Sequence, residues 1–261
     1  MKIPIYQIDA FTNRVFKGNP AAVCPLENWL EDHLMQLIAM ENNLSETAFM
    51  VDQGNHYQIR WFTPEVEVDL CGHATLAAAY VVFRFIKSGT NSVQFSSKSG
   101  HLNVTQREQL VCLDFPVMEA SPSTPPDTLI RALGKKPQAV LAARDYLVVY
   151  ENEEDIRNIQ PDFALLKQLD RMGVIITSPG VTSDFVSRFF APKAGIPEDP
   201  VTGSSHCTLT PYWAQRLHKN SLSARQISAR GGELLCDLRG DRVLIAGQAG
   251  CYLEGWIHIE T

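Results

Sequence analysis

The stretch Gly72-His73-Ala74-Thr75-Leu76-Ala77-Ala78-Ala79-Tyr80-Val81-Val82-Phe83 decides how the chain is read. A helix apolar on one stripe lies on a core, whereas one apolar nearly all round must be enclosed by protein. At twelve residues before Arg84 it is too short to cross a bilayer, which takes about 20. A sheet rolled around a central helix supplies the enclosure.

A second helix start lies 131 residues on, half of the chain's 261, at Gly203-Ser204-Ser205-His206-Cys207-Thr208-Leu209. Pro211 follows, early enough in that helix to cost it little. The spacing suggests a duplicated unit. Between the two helices, Val117-Met118-Glu119-Ala120-Ser121-Pro122-Ser123-Thr124-Pro125-Pro126-Asp127 reads as a linker, since its three prolines suit neither helix nor central strand.

Similar events surround each helix. In the first half Pro4 to Ala10, Ala21 to Val23, Glu46 to Val51 and Tyr57 to Phe62 are strand-like. Leu30, Leu34, Leu37, Ile38 and Met40 mark the buried stripe of a helix. In the second half Ala139 to Leu141, Tyr146 to Tyr150, Gly173 to Ile176 and Asp184 to Phe190 are strand-like, with a helix over Asp162 to Leu169. Gln109 to Phe115, Arg242 to Ala246 and Cys251 to Ile259 complete the strands, with a turn at Arg239-Gly240-Asp241. The fold class expected is α+β, with two rolled sheets, each around a central helix.

Composition narrows the function. Apolar residues at 45% and charged residues at 20% are those of a compact globular protein. A net charge of −6 and the lack of basic runs argue against nucleic acid and anionic membranes as partners. The start, Met1 to Asp9, alternates like a strand and lacks a signal peptide's apolar core, so a cytoplasmic location is expected. The six cysteines form no C-x-x-C pair or zinc-spaced cluster, and no nucleotide-binding fingerprint occurs. No metal or organic cofactor is expected.

Chemistry gathers at the two helix starts. Gly72-His73 and Gly203-Ser204 open helices whose first amides lack intrahelical partners, and a helix N-terminus carries about half a positive charge. Both could hold a substrate carboxylate or developing oxyanion if they face one cleft between the halves. An acid precedes each: Glu46, after Ser45, and Asp199, before Pro200.

The set Asp9-Ala10-Phe11-Thr12, Gly18-Asn19-Pro20-Ala21-Ala22-Val23, Ser45-Glu46-Thr47-Ala48-Phe49, Phe62-Thr63-Pro64, Cys71-Gly72-His73-Ala74-Thr75 and Glu198-Asp199-Pro200-Val201-Thr202-Gly203-Ser204 resembles the phenazine-biosynthesis PhzF-like family. The resemblance implies the diaminopimelate epimerase fold: two pseudo-symmetric β-rolls, over residues 1–116 and 117–251, with a C-terminal strand of about 252–261 crossing back to the first half. It implies that Glu46 is the acid/base of an isomerase. His73 and Asp199 become its catalytic partners, and Ser45, Gly72, Gly203 and Ser204 substrate contacts.

The physical chemistry agrees with that assignment. A group that takes a proton from carbon and returns it works best with a pKa near ambient pH, and burial beside a second carboxylate raises an acid toward it. The function expected is a cofactor-independent proton shift within a small carboxylate-bearing metabolite, by a chain that forms a homodimer. An amino-acid racemase or epimerase using Cys71 is the first alternative. Racemases of this fold place a cysteine before each helix glycine, but here the second position is Thr202, too weak an acid or base to replace a thiol. A metabolite-binding protein without turnover is the second.

Overall fold

A computed structural model describes residues 1–260. The chain divides into two compact units, one of Met1–Asp114 with the chain from Ala246 on, the other of Phe115–Ile245.

In the first unit, Lys2–Ala10 lies between two antiparallel neighbours, Asn19–Leu26 and the last strand, Ala249–His258. The last strand thus starts three residues before the stretch expected from sequence; position 261 of that stretch lies outside the described residues. Asn19–Leu26 runs parallel to Glu46–Asp52, with Ala21 opposite Glu46. Parallel neighbours need a crossover, and the helix Asp32–Asn42 supplies it. Parallel strands covered on both faces carry continuous apolar runs. Accordingly Glu46 to Val51 is buried at every position.

One cover is Asp32–Asn42, through Met35, Ile38 and Ala39 against Cys24, Phe49 and Phe62. This corrects the stripe read from sequence: Leu37 and Met40 are exposed, and Met35 takes the buried place. Three- and four-residue spacing permits either face, and the packing chooses 35, 38 and 39. The other cover is the helix Gly72–Val81, buried at eight of ten positions and packed on Lys2–Ala10, Asn19–Leu26 and Glu46–Asp52. Its alanines let those backbones approach. It leaves by a wide π turn, Val82–Ile86, on which Phe85 stacks against Tyr6.

The second unit repeats the local order. Tyr146–Val149 runs parallel to Val174–Pro179, which pairs antiparallel with Phe185–Ala191. Phe185–Ala191 in turn lies parallel to Ser221–Gln226. Two short helices make the crossover. Glu153–Asn158 starts where Asn152 Oδ1 accepts from the Asp155 amide, and Phe163–Leu166 where Asp162 Oδ1 accepts from Ala164 and Leu165. The helix read over Asp162 to Leu169 therefore shortens to one turn with Asp162 as its cap.

The long helix of this unit is Gly203–Leu217, and Pro211 is its ninth residue rather than an early one. A proline there leaves the carbonyl four residues back without a donor. That carbonyl, of Cys207, accepts instead from the Met118 amide at 3.0 Å. The proline-rich segment is correspondingly stitched down rather than loose: the Val117 amide donates to Asp241 O at 2.9 Å, and Ser121–Pro122 pairs with Ala142 and Leu141.

Candidate active site

In the first unit three local features converge on the start of Gly72–Val81. Cys71 is extended (φ −140°, ψ 113°) and supplies no side-chain cap, so the helix opens with free donors. The parallel register carries Glu46, at the head of its strand, to the level of Ala21. Asn19, two residues before Ala21, follows the left-handed Gly18, where any side chain would strike Ala10 O.

Glu46 Oε2 then lies 3.0 Å from His73 Nε2, with both side chains about nine-tenths buried. On the far edge of the ring, Nδ1 is 3.2 Å from Asn19 Nδ2 and 3.5 Å from Cys71 Sγ. Burial works against charge on His73, but Cys71 and Glu46 outweigh it and hold the imidazole well above its ordinary pKa. The Cys71 thiol is pushed up to about 11, first by burial and then by Glu46. It is therefore uncharged at neutral pH, and the Glu46 carboxylate is the charge that keeps His73 protonated.

Glu46, Cys71 and His73 bring their donor atoms within 4.8 Å of one another, a grouping that invites a metal. The layout does not suit one. Cys71 faces Nδ1 and Glu46 faces Nε2, and an imidazole offers a cation only one nitrogen at a time. The three side chains stand in a line rather than around a common centre.

In the second unit the start of Gly203–Leu217 is organised by Gln226, which is fully buried. Its Oε1 accepts from the Thr202 amide at 2.9 Å, and its Nε2 donates to Asp199 O at 2.7 Å and to Thr202 Oγ1 at 3.2 Å. Thr202 Oγ1 donates in turn to Asp199 Oδ2. One amide side chain thus ties the turn carrying Asp199 at three points. Ser204 is half-buried at the second helical position, where Arg144 Nη2 donates to its Oγ at 3.1 Å. His206, fully buried, points Nδ1 at Thr202 O, 2.8 Å away. Burial depresses its pKa to about 4.

Of the residues singled out from sequence, Glu46, His73 and Gly72 gather at the first helix start, with the half-buried Ser45 next to Glu46 along the chain. Asp199, Gly203 and Ser204 gather at the second. Asn19, Arg144, His206 and Gln226 were given no role. Asn19 had a signal, since it sits inside a quoted motif. Gln226 had none, because only the pairing of Ser187 with Gln226 brings it to Thr202.

This is a mixed α+β fold. A hydroxyproline epimerase from Agrobacterium vitis shares it with a TM-score of 0.65 at 10% identity, over 98% of this chain and 92% of that one, which speaks to the fold alone. The nearer comparisons are narrower. A family model described as phenazine biosynthesis-like protein matches residues 8–255, and the chain belongs to that family. A PhzF-family protein from Enterococcus faecalis superposes with a TM-score of 0.97 at 48% identity, covering 99% of this chain and all of that one. A Pseudomonas aeruginosa protein named as an uncharacterized isomerase is 51% identical over 99% of this chain and its own full length. Isomerase is the enzyme class in which these relatives place the chain.

Proposed function

We propose that the chain moves a proton within a small carboxylate-bearing molecule without a cofactor, with Glu46 as the acid/base. The observation that carries this reading is the buried Glu46–His73 pair, 3.0 Å apart at the open start of a helix. Glu46 takes the proton from carbon and returns it elsewhere. His73, protonated, steadies the carboxylate and balances its charge when the proton leaves. Free amides at Gly72 and Gly203 meet negative charge on the substrate, while Ser45 and Ser204 orient it. Asp199, fixed by Thr202 and Gln226, is the second carboxylate of the reaction. Proton transfer among side chains requires no redox group.

The racemase alternative is weaker. A thiol held near 11 is a poor base, and Thr202 replaces its counterpart. The enzyme works in the cytoplasm, which suits six free cysteines, and as a homodimer.

The test is deuterium incorporation from solvent into a panel of small hydroxy and amino carboxylates. Glu46→Gln should slow exchange by about a hundred- to ten-thousand-fold, the usual worth of a general acid/base, while Cys71→Ala keeps it. Exchange that survives Glu46→Gln sinks the mechanism. Exchange lost in Cys71→Ala but kept in Glu46→Gln establishes the cysteine route.

A further inference from the structure

Arg144 has no part in the chemistry above, yet its setting is unusual for a half-exposed arginine. It stands in the turn between Ala139–Ala142 and Tyr146–Val149. Nε and Nη2 donate to Asp145 Oδ2 at 3.0 and 2.8 Å, and Nη2 also reaches Ser204 Oγ. Asp145 is 4% exposed, and its other oxygen, Oδ1, is buried without a hydrogen bond. The carboxylate is thus committed to Arg144 and fixes the guanidinium by one edge.

Among the described residues the opposite edge, Nη1, has no hydrogen-bond partner. Because Ser204 Oγ accepts from Nη2, its hydroxyl proton is free to donate outward. Two donors of different residues are therefore offered side by side. The position also runs against elementary electrostatics: Ser204 is the second residue of Gly203–Leu217, and a cation at the positive end of a helix is disfavoured. Asp145 neutralises one edge of Arg144, and an anion on the open edge would relieve the rest.

We propose that Arg144 is a substrate-binding residue that, with Ser204, grips a carboxylate of the substrate through Nη1–H and the serine O–H. It thereby restricts this end of the site to molecules that are anionic there. Neutral amides and esters of the same shape are refused, since they cannot form the charge-assisted pair. The inference rests on Ser204 being a substrate contact, as proposed above, but is independent of which group moves the proton.

The experiment follows the Arg144 Nε–H signal and the Gly203 and Ser204 amide signals by NMR on the full chain, during titration with L-lactate and with its neutral isostere lactamide at constant ionic strength. Lactate should shift all three and lactamide none. Arg144→Gln should weaken lactate binding at least tenfold, and Arg144→Lys, which keeps the charge but loses the fork, by an intermediate factor. If Arg144→Gln fails to fold because Asp145 is left unpaired, Arg144→Gln combined with Asp145→Asn supplies the comparison.

Lactate that leaves Arg144 unmoved, lactamide that binds as well, or wild-type affinity in the glutamine variant would each overturn the assignment. Glu46→Gln is the control for the proposed reaction: it should lose deuterium exchange while lactate still shifts the Arg144 Nε–H signal. A failure at Arg144 is thereby told apart from a failure at Glu46.

Discussion

Two helix starts in this chain share one design and differ in charge. At Cys71-Gly72-His73 and at Thr202-Gly203-Ser204 an extended residue precedes a glycine that opens an uncapped helix, and a histidine follows within one turn. Both histidines are buried, at 4% and 0% exposure. His73 is held well above its usual pKa, whereas His206 is depressed to about 4. Glu46 stands 3.0 Å from His73, while the backbone carbonyl of Thr202, 2.8 Å from His206, carries no full charge. Burial alone makes a histidine neutral, and a neighbouring carboxylate reverses the sign. The repeated local order therefore carries different electrostatics, with a charged pair in one unit and a hydrogen-bonded turn in the other.

The comparison breaks most sharply at Gln226. Gln226→Ala removes the acceptor of the Thr202 amide and the donor to Asp199 O, two buried backbone groups. Each orphaned group costs about 1–3 kcal/mol, so a loss of about 3 kcal/mol in urea-unfolding stability is expected. Faster hydrogen exchange at Thr202 should accompany it, with the His73 signals unchanged. A loss below about 1 kcal/mol would mean that the turn carrying Asp199 is held by something else.

Acid separates the two histidines next. His206 has a folded-state pKa below the unfolded value, so its neutral form adds stability above pH 6.5 that is lost as pH falls toward 4. The fall from 6.5 to about 4 corresponds to on the order of 3 kcal/mol. His73, with a raised folded-state pKa, acts in the opposite sense. Its contribution is complete below pH 6.5 and is lost as pH rises through its folded-state value. Proton-detected titration should show His73 charged and His206 neutral at pH 7. Glu46→Gln should lower His73 from that raised value, because one of the two groups opposing burial is gone, and leave His206 where it was. A His73 that stays high in that variant would place the responsible charge elsewhere.

How much of this is written locally differs between the two regions. Cys71-Gly72-His73 and Thr202-Gly203-Ser204 are contiguous, so both helix starts and their free donors are legible from sequence. The continuous apolar helix after Gly72 is legible too, because burial on all sides leaves no polar face. Other strands hide. Ser92–Ser97, Gly100–Arg107 and Ser221–Gln226 carry many Ser, Gln, Asn and Arg residues, and Gly232–Arg239 carries Gly, Glu and Asp among its leucines, so none shows the β-branched and aromatic alternation of a typical strand. The short helices Asp127–Leu133 and Glu153–Asn158 span too few turns to show a period. Gln226 and Arg144 reach the second helix start across 24 and 60 positions of chain, through pairings that no spacing announces.

A smaller effect tests the repair of the second long helix, which has no counterpart in Gly72–Val81. Pro211 leaves Cys207 O to the Met118 amide. Met118→Pro removes that donor and should cost about 2 kcal/mol, within the range for orphaning a buried carbonyl. Pro211→Ala in the same chain should restore part of the loss by supplying an intrahelical N–H. If the double variant is no more stable than Met118→Pro alone, the carbonyl was not the reason for the loss.

The smallest effect concerns the residues that differ before the two glycines, Cys71 and Thr202. Thr202 Oγ1 is committed to Asp199, so Thr202→Val should disturb the second site through its carboxylate. The Cys71 thiol stands at a long 3.5 Å from His73 Nδ1, and the residue is 6% exposed. Cys71→Ala removes one buried sulfur and should cost about 1 kcal/mol, with turnover retained. Because the thiol is held near 11, its alkylation by iodoacetamide at pH 7 should be far slower than that of an ordinary cysteine, and should rise only toward strongly alkaline pH. Rapid alkylation at neutral pH, protected by a bound carboxylate, would reveal a thiolate in the site. The asymmetry between the two helix starts would then extend to a cysteine working beside Glu46.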